Sequence, residues 1–280
     1  MDTVKISAAD VKKLRDITGA GMMDCKKALT EANGDIEKAI ENLRKKGQKL
    51  SDKRADREAK EGVVIALTSD DRKKGIVLRL SCETDFVAKT DSFIDLTKAF
   101  ANLALENLPN SIEELLALPF EKITIGEKIT EQIGVIGEKL EITSYDKLEA
   151  ADGQVIPYIH MGYRAGVIVA INQEGADLVE PAKNIAMQVA AMKPIALNED
   201  GVDASVIEKE IEIGKEQARA QGKPEEMLER IATGKLNKFY KEQTLLNQAY
   251  VKDGKQSVKA YLESVKKDLT VTAFKHVALG

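Results

Sequence analysis

Apolar positions along the chain keep helical spacing at first and then change to strand-like runs. Val11, Leu14 and Ile17 define one face of a short amphipathic helix that Thr18-Gly19-Ala20-Gly21 stops. Met22, Met23, Ala28 and Leu29 mark a second helix closed by Asn33-Gly34, and Asp35 caps a third carrying Ile36, Ala39, Ile40 and Leu43. One of the two methionines suits the filling of so small a core, and the other suits a soft contact surface. Beyond them the apolar residues form continuous runs bounded by glycine, the mark of strands: Gly62-Val63-Val64-Ile65 and Gly75-Ile76-Val77-Leu78-Arg79-Leu80.

Those two runs return as Gly153-Gln154-Val155-Ile156 and Gly166-Val167-Ile168-Val169-Ala170-Ile171, both at an offset of 91 residues. A helix follows each hairpin: Ser92 to Leu105, with Phe93, Leu96, Phe100 and Leu103, answers Leu178 to Met192, with Val179, Ile185, Ala186 and Val189. A third strand completes each copy, Leu140 to Tyr145 matching Leu269 to Phe274 at an offset of 129, so the second copy carries 38 extra residues. The extra length reads as a helical hairpin. Ser205 and Glu208 form a capping-box pattern, Gly222-Lys223-Pro224 stops one helix and restarts another, and Glu225 to Gln243 is the second arm. Val206, Ile207 and Ile211 would face Met227, Leu228, Ile231, Leu236 and Phe239 along its seam. Structural padding, partner contact and dimerisation are the uses open to such an arm.

The expected fold class is α+β, with helices on one face of each antiparallel sheet. Residues 1–48 form a three-helix module that resembles the ubiquitin-associated fold, and 49–61 a charged linker. Residues 62–149 form a first core half of three strands plus helix, and 150–280 a second, with the antiparallel helical hairpin, a coiled coil, inserted at about 203–245.

Charge alters this picture little. The chain has 42 Lys and Arg against 46 Asp and Glu, a net charge of -4, which gives no electrostatic case for direct binding to nucleic acid. The run from Lys45 to Glu61, with seven basic and four acidic residues, reads as a solvated face. Cys25 and Cys82 cannot build a disulfide framework and fit no metal spacing, so both are expected to be reduced, buried thiols. Met1 to Lys5 show no apolar signal segment and no stretch approaches membrane-spanning length, which points to the cytoplasm and to no membrane partner.

Candidate chemistry is sparse. Gly-x-x-x-x-Gly-Lys-Ser/Thr, Gly-x-Gly-x-x-Gly and His-Glu-x-x-His are all absent, neither His160 nor His276 has a partner at ligand or triad spacing, and Glu113-Glu114 lie on a solvated helix face. No catalytic residue, cofactor site or metal site is expected. What stands out is Thr84-Asp85-Phe86-Val87-Ala88-Lys89-Thr90-Asp91, at a strand-to-helix junction where Asp91-Ser92 offers the next N-cap. Phenylalanine costs about 1.5–3 kcal/mol when left in water, so Phe86 is an anchor, either for this chain's own core or for a partner. The neighbouring Asp85 suits a target whose metal ion or phosphates are to be disturbed. His160, at the tip of the second hairpin, is exposed or a partner contact.

Three stretches carry a family resemblance: Leu14 to Leu29, Thr84 to Lys89, and His160 with the inserted hairpin. Together they resemble elongation factor Ts, the bacterial guanine-nucleotide exchange factor family that acts on the GTPase elongation factor Tu. The resemblance implies elongation factor Tu as partner, with Thr84, Asp85, Phe86 and Val87 intruding beside the magnesium and GDP that the partner holds. It also implies that Lys12, Arg15, Met22 and Met23 touch the same nucleotide-binding domain, and that Ile136, Gly137 and His160 assist. The hairpin corresponds to the family's coiled-coil arm. One departure is that the family usually continues past the last strand into a further helix, whereas this sequence ends at His276-Val277-Ala278-Leu279-Gly280. An adaptor binding small folds through residues 1–48, or an enzyme with an unfamiliar carboxylate site, are the alternative readings.

Overall fold

The structure, a computed structural model, describes residues 6–280; Met1 to Lys5, expected to carry no signal segment, lie outside the described residues. The chain forms two compact units, one built from residues up to Ile65 with Leu78–Tyr145 and Ala278–Gly280, the other from Ala66–Val77 and Asp146–Val277.

Three helices open the first unit: α1 (Ala8–Thr18), α2 (Met22–Glu31) and α3 (Ile36–Arg54). Ser7 and Asp10 form a capping box on α1, Gly19 ends it in the left-handed region, and Asp35 caps α3. Leu14, Cys25, Leu29 and Ala39 sit fully buried at the centre of the module. The buried side of α1 runs from Leu14 to Thr18, so Ile17, expected inside, is 54% exposed. Both methionines are outside as well, at 60% and 77% exposure, because the small core ends short of the first turn of α2. Among the described residues no methionine fills it. Residues 49–54, expected in a linker, continue α3.

The chain then forms β1 (Glu61–Thr68), β2 (Lys74–Cys82), the single turn α4 (Asp85–Ala88), α5 (Asp91–Asn107), α6 (Ile112–Leu116), the short pair β3 (Pro119–Phe120) and β4 (Ile123–Thr124), α7 (Ile125–Ile136) and β5 (Glu141–Glu149). The sheet order is β1-β2-β5. Thr90 caps α5, one residue ahead of the expected Asp91-Ser92, since its hydroxyl accepts from the Phe93 N–H. Phe93 and Phe100 anchor α5, and Phe100 meets Phe120 edge-on with ring centroids 5.3 Å apart.

Helices α3 and α7 cross where each has a glycine. A Cβ on Gly47 would stand 2.7 Å from the Thr130 carbonyl oxygen, and one on Gly134 would stand 3.0 Å from the Gly47 Cα. Closeness here ties the three-helix module to α7.

The second unit continues with β6 (Gln154–His160), β7 (Ala165–Ile171), α8 (Val179–Met192), α9 (Ala204–Ala220), α10 (Glu225–Gln243), β8 (Ala249–Tyr250), β9 (Asp253–Ser257), α11 (Val258–Val265) and β10 (Val271–Ala278). Its sheet order β10-β7-β6 repeats that of the first copy, with β6 and β7 antiparallel and Ile156 opposite Val169. Sterics explain the repeated glycine that opens each hairpin. A Cβ on Gly62 would fall 2.3 Å from the Leu80 oxygen, and one on Gly153 would fall 1.7 Å from the Ile171 oxygen, which is the equivalent atom in the second copy. Pro157, which has no N–H to give, lies in β6 at the edge of its sheet.

The helical arm is present, but its tightest seam is not the expected one. Gly214, Ala218, Leu228 and Ala232 are the buried residues, and a Cβ on Gly214 would be 3.1 Å from the Ala232 Cα. Val206, Ile207, Ile211, Ile231, Leu236 and Phe239 are half-buried beside them and Met227 is exposed, because small residues let the two backbones come close. Asp203, which accepts from the Ser205 N–H, is the cap of α9, so Ser205 lies inside the helix and forms no capping box.

Replacing Gly47 by Ala gains about 1 kcal/mol of helix propensity but forces a clash with backbone, so Gly47→Ala should lose about 1–3 kcal/mol net in urea unfolding. Gly234→Ala, with nothing within 4 Å of the new Cβ, should instead be neutral or stabilising in the same measurement.

Candidate functional site

Strand β2 ends at Cys82, and the chain then turns off the sheet, leaving the N–H groups of Glu83 and Thr84 without ladder partners. Glu138 accepts both through Oε2, at 3.1 and 3.0 Å, and its Oε1 accepts the Thr84 hydroxyl at 2.6 Å. Glu83 returns the favour: its Oε1 accepts the Lys139 N–H at 2.7 Å and Arg54 Nη1 at 2.6 Å, and its Oε2 accepts Arg57 Nη1 at 2.9 Å. Two stretches distant in sequence are thus laced in both directions by charge-assisted bonds. Gly137 makes the approach feasible by ending α7 in the left-handed region at φ 80°, with its N–H on the Ile133 carbonyl.

These bonds shape local protonation. Burial pushes the Glu83 carboxyl up, but the Lys139 N–H and the Arg57 and Arg54 guanidiniums outweigh it and bring the pKa down to about 2. The neighbouring Cys82 thiol, which donates to the Thr84 carbonyl at 3.2 Å, is pushed up to about 12 by burial and by the carboxylates of Glu138 and Glu61. Cys82 is therefore an inert core thiol.

From this root, α4 projects. Thr84 caps it by accepting the Val87 N–H, and at the far end the Thr90 hydroxyl donates to the Val87 carbonyl at 2.9 Å. None of its four residues is buried. Phe86 is 81% exposed, the most exposed of the large apolar side chains among the described residues. The inward alternative for its ring is thereby excluded. Val87 is half-buried. Asp85 takes a 2.6 Å bond from Lys89 Nζ, and this bond holds its carboxyl below the usual range.

In the same unit, Lys12 and Arg15 are exposed on α1, and Met22 and Met23 are exposed at the start of α2. Ile136 and Gly137 are half-buried at the end of α7, beside Glu138 and therefore beside the root of α4. His160 belongs to the other unit. It ends β6, its Nδ1 lies 2.8 Å from the Tyr158 hydroxyl, and Met161, Gly162 and Tyr163 follow with φ of 36°, 61° and 66°. Among the described residues no group of three or more His, Cys, Asp or Glu could hold a metal ion, and no helix is long and apolar enough to cross a membrane.

Sequence reasoning missed Glu83, Glu138, Arg54 and Arg57. The only available signal was a carboxylate at the exit of an apolar strand, which says that a cation or amide donor is needed without saying which.

Fold and site together define a class: an α+β chain with a three-helix front, two three-stranded sheets, a helical arm and an outward ring on a one-turn helix. Residues 83–280 match the family described as Elongation factor TS. Over 275 residues, 98% of this chain and 99% of the relative, the sequence is 54% identical to the elongation factor Ts of Flavobacterium psychrophilum. It is 53% identical to that of Christiangramia forsetii and 52% identical to that of Cytophaga hutchinsonii, with 99% of each relative again covered. The chain belongs to the elongation factor Ts family.

Because the Glu83 pKa is lower in the folded chain than the ordinary 4.5, its stabilising contribution is complete above about pH 4.5 and drains away as pH falls toward about 2. Glu83→Gln should lower the urea midpoint most at neutral pH, and the gap to wild type should close on acidification.

Proposed function

We propose that the chain is a guanine-nucleotide exchange factor for elongation factor Tu, and that α4 is the part that loosens the bound nucleotide. The observation carrying this reading is the 81% exposure of Phe86 beside Asp85 on a four-residue helix, in a chain of this family. A ring held in water at a cost of about 1.5–3 kcal/mol recovers that cost when a partner covers it. Placed between elements that line the partner's nucleotide pocket, Phe86 shifts the loops that hold magnesium, while the Asp85 carboxylate opposes phosphate and competes for the cation. The magnesium and the GDP are the partner's; this chain brings no cofactor, makes no bond and needs no contact with nucleic acid.

Lys12, Arg15, Met22 and Met23 give the three-helix module a mixed cationic and apolar face for the same GTPase domain, in keeping with its likeness to ubiquitin-associated modules. Ile136 and Gly137 support α4 from the end of α7. His160 and the exposed Met161 offer a further contact on the second unit, and the arm, coiled-coil-like in its length, serves a partner or a second copy of the chain. The work belongs in the cytoplasm, where translation takes place.

Energetically the factor acts by linkage. Tighter binding to the nucleotide-free partner than to the loaded one weakens GDP binding by the same ratio, and returning GTP expels the factor. Each 1.36 kcal/mol removed from the release barrier speeds departure about tenfold.

Phe86→Ala should leave the unfolding free energy within about 0.5 kcal/mol of wild type, because the ring touches little of its own chain. It should slow the release of fluorescent GDP from elongation factor Tu about tenfold or more. Full release activity in a folded Phe86→Ala protein would rule out the wedge.

A further inference from the structure

We propose that Glu138 is the positioning residue of α4: by holding the N–H groups of Glu83 and Thr84 and the Thr84 hydroxyl, its carboxylate sets the direction in which Asp85 and Phe86 leave the protein before any partner is met. The inference deepens the exchange reading above and rests on it.

Helix α4 cannot orient itself. It is one turn long, too short to be stable alone, and none of its side chains is buried. Its own helical bonds, such as Ala88 N–H to the Thr84 carbonyl, fix its shape but not its direction. Direction has to come from its two ends. At the C-terminal end, Thr90 ties back to Val87 and the buried Phe93 anchors the next helix. At the N-terminal end the buried Cys82 closes β2, and between it and α4 three hydrogen bonds converge on a single carboxylate, that of Glu138.

Glu138 is itself held in place. Gly137 turns it toward β2, and the next residue, Lys139, is gripped through its N–H by Glu83. Glu83 is in turn pinned to the end of α3 by Arg54 at 2.6 Å. Since α3 belongs to the three-helix module, the root of α4 is bonded to that module within the unit. A finger held this way meets its target already ordered. One that swings freely must lose that freedom on docking, and the loss subtracts from the energy available to distort the partner.

The test uses the full chain with elongation factor Tu loaded with fluorescent GDP, alongside amide hydrogen exchange over residues 82–90. Glu138→Ala leaves the two N–H groups unpaired. Glu138→Gln keeps an amide oxygen for them and turns its NH2 toward the Thr84 oxygen, which still has a lone pair to accept it. Glu138→Ala should speed amide exchange in residues 83–87 and lower the maximal GDP-release rate, each about tenfold, with a smaller change in affinity for the partner. Glu138→Gln should restore both to within about threefold of wild type.

Native protection at 83–87 in Glu138→Ala, wild-type release by a loosened finger, or a Glu138→Gln protein as impaired as Glu138→Ala would each overturn the proposal. Should Glu138→Ala not fold, Glu138→Asp decides. Its carboxylate, one methylene shorter, falls short of the Glu83 and Thr84 N–H groups while the Thr84 cap on Val87 stays, so it must loosen α4 and slow release. Unchanged exchange with unchanged release in that variant would overturn the proposal. If the wild-type chain itself leaves GDP release unchanged, the exchange reading fails; if wild type is active and Glu138→Ala matches it, only the role of Glu138 fails.

Discussion

Backbone amides that leave a strand must be bonded again, and those of Glu83 and Thr84 emerge from β2 in a part-buried place where water is a poor substitute. Their acceptor is the carboxylate of Glu138, just past the C-terminal end of α7. Once that bond is made, much follows: Thr84 is oriented to cap α4, Cys82 is sealed beneath it, and Asp85 and Phe86 can point only away from the unit. The cost of drawing the two carboxylates out of water is offset by their own donors: two backbone amides and a hydroxyl on Glu138, a backbone amide and two guanidiniums on Glu83.

The elements legible in the sequence were those whose limits are written in local chemistry. Gly19 and Asn33-Gly34 end helices through left-handed backbone, and Gly62, Gly75 and Gly153 bound strands because no Cβ fits at the two hairpin starts. Caps were legible to within a residue or two: Thr90 and Asp203 displaced Asp91 and Ser205 because adjacent polar side chains compete for the same amides. Burial was harder. Ile17, Met22 and Met23 keep helical spacing yet face water, since periodicity reports a stripe and not where the small core beneath it stops. Phe86 presented the same ambiguity, and its sequence neighbours could not resolve it.

Least legible were the contacts between remote segments. Glu83 and Glu138 lie 55 residues apart, and nothing in either neighbourhood names the other. Gly47 and Gly134 read as weak points in their helices until the crossing of α3 and α7 gives them a purpose, and Gly214 with Ala232 plays the same part in the arm. Close backbone approach is a recurring solution in this chain, and glycine in a helix is the only trace it leaves in the sequence. The duplicated sheets follow a related logic, since the same steric demand at Gly62 and Gly153 recurs against equivalent carbonyls.

Pro157 has a consequence for how molecules of this protein meet one another in a crowded solution. Strand β6 borders its sheet, and alternate amides along it turn away from β7. The Val155 N–H is already occupied by the Arg72 carbonyl, and two residues on Pro157 has none to offer, so of these alternate positions only Ile159 can present one. A strand from another chain would therefore find no ladder to extend, and this rim of an apolar sheet is blunted against runaway β-pairing.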